Sequence, residues 1–271
     1  MQKPTAGGLK TGKGGKDNTM KTYSYDAIVF SSNDEKGREQ EFVRLLKEAP
    51  IPDDELLANL GLFLTSKNLS RILFFAEIYK RIVNSHGVIM EFGTRWGQTM
   101  SLLAALRGIF EPFNRHRQII GFDTFEGHRG ITELDAVPSR CSDGSYAVNP
   151  GYEAYLEEII ALQEGLNPVN HIKKFEVVKG DALETVPAWF DAHPEALVSL
   201  AILDFDIYAP TKAALEALKP RLFKGSIIVF DELCDGTFPG ETVAFRELFS
   251  PMNFRIQRFP MTSRVSFMEV E

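Results

Sequence analysis

Cysteine is scarce in this chain. Cys141 and Cys234 are the two among 271 residues, too few and too far apart in sequence for a disulfide framework, and suited to a reducing cytoplasm. No C-x-x-C pair and no H-E-x-x-H run occurs, so the familiar zinc signatures are missing. Nor is there a run of about 20 apolar residues, and no membrane-spanning helix is expected. Positive charge is in deficit, with 30 Lys and Arg against 37 Asp and Glu and a net charge of −7. That balance argues against nucleic acid as a partner and fits simple solubility. What remains is an ordinary globular composition, 44% hydrophobic and 25% charged, in a chain long enough to bury a full core. The opening stretch "MQKPTAGGLKTGKGGKDNTM" is rich in Gly and Lys and almost without apolar residues. It lacks the apolar centre of a signal peptide, and residues 1–21 read as a disordered tail.

Helical spacing of apolar residues appears at 37–49, 53–64 and 68–87, and residues 22–86 are expected to form a helical N-terminal cap. From Gly87 onward the pattern alternates. Short apolar runs at 88–92, 117–125, 173–181, 197–206 and 225–233 read as strands. Helical segments at 98–110, 151–166, 182–193, 210–222 and 241–249 separate or follow them, and 253–260 with 263–271 reads as a closing hairpin. The alternation predicts a Rossmann-like α/β domain over 87–271, with a mostly parallel seven-stranded sheet and helices on both faces. In such a sheet ligands sit at the carboxyl ends of the strands.

Those ends are all acidic: Glu91, Asp123, Asp181, Asp204, then Asp231 with Glu232. Like charges gathered along one rim repel, and such a cost persists mainly where function needs it. The first strand runs into "GVIMEFGTRWGQTM". A dinucleotide turn wants G-x-G-x-x-G, so that a bare backbone can approach the pyrophosphate; the middle position of Gly93-Thr94-Arg95-Trp96-Gly97 is bulky instead. A NAD-dependent oxidoreductase is thereby disfavoured. An acid at the head of a glycine turn suits a ligand with a cationic amino group and a carboxylate, and S-adenosylmethionine (SAM) has both. Glu91, Gly93, Thr94 and Gly97 are the candidate residues around its methionine part. Asp123 is the candidate at the ribose, since a carboxylate can accept from both hydroxyls, and Thr124 beside it is a further cofactor-binding candidate. Asp181 and Ala182, in "GDA", are the candidates near the adenine.

Asp204, Asp231 and Glu232 end two neighbouring strands, and three converging carboxylates need a counter-charge. A hard divalent cation such as Mg²⁺ is the natural one. It could bind substrate hydroxyls while a neighbouring carboxylate takes the proton.

Three stretches carry a family resemblance: "IMEFGTRWGQTM", "GFDTFEGH" and "LDFDIYAPTKAALEALKPRLFKGSIIVFDE". They resemble the macrocin O-methyltransferase family, the Mg²⁺-dependent class I SAM methyltransferases that methylate sugars and related rings in antibiotic pathways. The narrower likeness is to the TDP-deoxysugar (rhamnose) O-methyltransferases. The resemblance implies a class I methyltransferase fold, SAM and Mg²⁺ as cofactors, a sugar or nucleotide sugar as small-molecule substrate, and Asp204 as general base. It places Asp204, Asp231 and Glu232 at the metal. This chain departs from the family pattern at Glu232, where Asp is usual, at Phe205 between two acids, where Gly is usual, and at Lys224-Gly225, where Gly-Gly is common. A catechol-type O-methyltransferase is the nearest rival activity, and a non-catalytic SAM-binding protein a further one.

His128 ends "FDTFEGH" beside the acidic rim and is the second catalytic candidate. Residues 128–150 are long, polar and carry Gly and Pro, as lid loops often do. The Phe-rich N-terminal helices suit core or an oligomer interface, and a cytoplasmic homo-oligomer is expected.

Overall fold

A computed structural model describes residues 32–135, 141–262 and 264–271. The expected tail over 1–21 lies outside them. The helices are α1 (Asn33–Lys47), α2 (Asp53–Leu56), α3 (Ser66–Ile82), α4 (Gln98–Phe110), α5 (Tyr152–Gly165), α6 (Ala182–Ala192), α7 (Tyr208–Leu218) and α8 (Gly240–Leu248). The strands are β1 (Val88–Phe92), β2 (Ile119–Asp123), β3 (Phe175–Lys179), β4 (Val198–Leu203), β5 (Ile227–Phe230), β6 (Ile256–Arg258) and β7 (Ser266–Glu269). They form one seven-stranded sheet in the order β3-β2-β1-β4-β5-β7-β6. β1 to β5 pair in parallel, while β7 runs antiparallel to β5 and carries β6 beside it.

Period-two alternation explains the layers. Ile89, Ile119, Leu200 and Ile227 enter one core with α3, α4 and α5. Their neighbours Met90, Ile120, Ala201 and Ile228 enter the opposite core with α6, α7 and α8. Both strand faces are covered, so the strands read as continuous apolar runs. The chain turns one way after β1 and the other way after β4, and the switch point lies between these two adjacent strands, where the carboxyl ends leave a crevice.

The N-terminal region differs from the single expected cap. α3 contributes Phe74, Phe75, Ile78, Tyr79 and Ile82 to the core, so it belongs with the sheet. The expected helix over 53–64 is one α-turn, α2, followed by a 3-10 stretch Leu57–Phe63 in which no residue is buried. With no face to pack, its leucines stay in solvent: Leu57 is 77% and Leu62 65% exposed. No helix among the described residues is long and apolar enough to cross a membrane.

Candidate active site

Five backbone features crowd the carboxyl rim. Arg95, Phe125, Asp206 and Cys234, after β1, β2, β4 and β5, all have positive φ, and Gly93 sits at φ 98. Non-glycine residues hold this conformation only where their surroundings impose it. At Gly93 the reason is contact: a Cβ there would stand 1.9 Å from the Asp204 carbonyl oxygen. Glycine lets the β1 turn and the β4 exit loop touch. Gly97 (φ 73) precedes α4 and packs on Leu156.

Asp123 braces this turn. Its carboxylate accepts the backbone N–H of Arg95 at 2.7 Å and of Phe125 at 2.5 Å. Thr124 is spent locally, donating to the Gly127 carbonyl at 2.8 Å. Thr94 is buried, and Gly121 of β2 leaves room for it. Asp181 is exposed and caps α6 by accepting from the Leu183 N–H at 2.9 Å, with Ala182 buried behind it. Glu91 is 2% exposed, and its Oε2 has no hydrogen-bond partner among the described residues. Burial pushes its carboxyl up to about 8, against the pull of Arg71. Burying a carboxyl without a partner is costly, which marks Glu91 as a candidate binding group.

The alternation that builds the cores also aims the acids. Glu91, Asp204 and Asp231 continue the phase of Ile89, Ile202 and Val229, which face α3. Arg71 of α3 meets them there. It donates to Asp231 Oδ1 at 3.0 Å and to Thr99 Oγ1 at 3.0 Å, and lies 3.4 Å from Asp204 Oδ2. Of the expected metal trio, Asp204 and Glu232 share a close group with Asp206, while Asp231 bonds to Arg71. Oxygens of Asp204, Asp206 and Glu232 lie within 4.8 Å of one another. Asp231 turns to Arg71, and Asp206 swings back into the group through its left-handed backbone (φ 63).

Arg264 completes the cluster, pairing with Glu232 and lying 3.9 Å from Asp231. Glu241 of α8 is fully buried and accepts the Glu232 N–H at 3.0 Å. Burial and the neighbouring acids hold Asp204, Glu232 and Glu241 well above the usual carboxyl range. At Asp231 burial acts the same way, but Arg71 and Arg264 outweigh it and the carboxyl stays low.

His128 is buried and engaged on both ring nitrogens. Nε2 lies 3.1 Å from Asp206 Oδ2, Nδ1 lies 3.1 Å from Cys141 Sγ, and the ring stacks on Tyr146. Burial would lower its pKa, but the bonds to Asp206 and Cys141 raise it to about 9. The described part of 128–150 is docked. Asp135 accepts the Tyr208 N–H at 2.5 Å, and Cys141, Ile207 and Phe238 form a small core with Ile131 and Tyr146. Sequence reasoning did not single out Arg71, Asp206, Cys141, Glu241 or Arg264. Asp206 sits inside the quoted "DFD" and was legible by composition. Glu241 looks like an ordinary first-turn acid, and Arg71 like one cation on an amphipathic helix.

Residues 90–233 match the family model described as a methyltransferase domain. Among solved structures, the calicheamicin methyltransferase CalS11 is 38% identical, with 89% of this chain and 94% of that one covered and a TM-score of 0.86. An apo structure of CalS11, described as a TDP-rhamnose 3′-O-methyltransferase of calicheamicin biosynthesis, is 36% identical, with 89% and 96% covered and a TM-score of 0.79. The O-methyltransferase NovP shares the fold at 15% identity, with 74% and 80% covered and a TM-score of 0.57. No curated protein matches the chain in sequence.

Proposed function

The chain belongs to the methyltransferase-domain family, and on that footing we propose that it moves the methyl group of SAM to a hydroxyl of a nucleotide-activated deoxysugar or a related natural-product intermediate. The observation that carries the reading is the likeness to CalS11 across 89% of the chain. The orphaned oxygen of Glu91 supports the cofactor, since the ammonium of SAM would complete it. Gly93, Thr94 and Gly97 shape the turn around the methionine part. Asp123 keeps lone pairs for ribose hydroxyls while its backbone bonds hold it still. Thr124 shapes the loop beside it, and Asp181 with Ala182 borders the adenine end.

Methyl transfer needs the acceptor oxygen in line with the sulfonium, so that the new C–O bond forms as the C–S bond breaks. The acceptor proton then goes to a carboxylate. Asp204 is the proposed base, because it ends β4 against the Gly93 turn at the switch point of the sheet, where the acceptor and the methyl group would meet. A divalent cation, for which Mg²⁺ is the natural choice, would be held by Asp204, Asp206 and Glu232. Three carboxylates suit such an ion, and the Glu232 Oε2, buried in the group with no hydrogen-bond partner among the described residues, fits one. When bound, such an ion orients a hydroxyl and lowers its pKa. Asp231 stands outside that set and is held by Arg71. His128 is a positioning residue that fixes Asp206 and does not act as the base. Calorimetry tests the cofactor half: S-adenosylhomocysteine (SAH) binds in the micromolar range and NAD does not. Tight NAD binding without SAH binding contradicts it.

A cytoplasmic homo-oligomer is part of the same proposal. It is supported by two free cysteines and by the solvent-exposed leucines at 45, 46, 57, 60 and 62.

A further inference from the structure

Arg71 comes from the second turn of α3, outside every motif that marks the site. Its guanidinium bridges two groups of residues. On one side stands Thr99, in the first turn of α4 directly after the Gly93–Gly97 turn. On the other stand Asp231 and Asp204. Glu91 is close enough to raise the proton affinity of Arg71 as well, and the guanidinium lies over the Phe75 ring at 5.1 Å.

The amino-acid end of SAM carries an ammonium and a carboxylate on one carbon. If Glu91 takes the ammonium, the carboxylate must settle within a few ångströms of it, on the α3 side of the rim. Glu91, Asp123, Asp204 and Asp231 would all repel it there. The N–H groups at the start of α4 offer only partial positive charge. A guanidinium offers a full charge and a planar fork that matches a carboxylate.

We propose that Arg71 receives the α-carboxylate of the cofactor and in doing so loosens its hold on Asp204. This rests on the SAM reading above. The amino-acid end is itself neutral, with an ammonium for Glu91 and a carboxylate for Arg71, and the sulfonium of SAM adds one positive charge beside the acidic rim. The contact with Asp204, at 3.4 Å, is the longest of the three and yields first. Asp204 is then released toward the acceptor when the cofactor is in place, while the shorter bond at 3.0 Å keeps Asp231 fixed.

The test is calorimetric titration of the wild-type protein and Arg71→Gln with SAH and with 5′-methylthioadenosine, which keeps the adenosine and the thioether but lacks the amino-acid end. Arg71→Gln is expected to weaken SAH about 10- to 100-fold, as for loss of a charge-assisted hydrogen bond, and to change methylthioadenosine less than about twofold. An unchanged SAH affinity, or a parallel fall for both ligands, overturns the proposal. Arg71→Lys, which keeps the charge and loses the fork, serves if the Gln variant misfolds. A loss confined to SAH supports the assignment, and a loss shared by both ligands, or none, overturns it. A wild-type protein that binds neither compound contradicts the SAM reading itself and leaves a distinct signature from failure of the Arg71 assignment.

Discussion

Glu91 carries a pH signature. Its folded value, about 8, lies above the ordinary 4.5. Below the lower value both states are protonated. Between the two, the unfolded chain ionises and the folded one holds its proton, so stability falls as pH rises. Glu91→Gln is therefore expected to melt higher than the ligand-free wild type at pH 8 and above, with the gap closing toward pH 4, and to weaken SAH. A melting curve that does not separate at high pH contradicts this. Asp204 gives a sharper contrast. Asp204→Asn should cut turnover by about 10²–10⁴-fold, the usual size of a general-base contribution, with SAH bound at least as tightly, since Asp204 no longer competes for Arg71; near-normal turnover removes Asp204 from that role. Both residues were legible in the sequence, because each ends an apolar run of the right length. Arg71 was not: it is 133 residues from Asp204, and only the packing of α3 against the sheet joins them.

At the scale of elements, the segment after β2 is built onto the site through His128. Its folded pKa, about 9, is raised above the ordinary 6.5, so its contribution to stability is complete below pH 6.5 and is lost as pH climbs through 9. His128→Gln should lower the melting temperature at pH 6 and differ little from wild type at pH 10, which a fluorescence melt across pH measures; an equal deficit at both ends rules out the Asp206 bond as the cause. The strands and most helices were readable from spacing because both faces of β1, β4 and β5 are buried. Two readings needed the fold. Helical spacing over 53–64 met no surface to pack on and settled as a 3-10 stretch. The close group of acids includes Asp206, which is turned back by a left-handed residue that no pattern announces, while Asp231 bonds to Arg71.

For the whole molecule, the mostly parallel sheet and the acidic rim follow from the spacing of the apolar runs, but the strand order with its switch point does not. Leu57→Asp with Leu62→Asp is expected to shift light scattering from an oligomer to a monomer without loss of SAH binding; an unchanged mass in solution places the interface elsewhere. The account as a whole stands on one measurement. Purified protein is incubated with isotopically labelled SAM, a divalent cation and a panel of TDP-deoxysugars and catechols, and the products are read by mass spectrometry. Transfer of one methyl group to a sugar hydroxyl of a TDP-deoxysugar, reduced by chelator and absent in Asp204→Asn, is the predicted result. Transfer to the catechols alone, or to none of the acceptors while SAH binds normally, contradicts it.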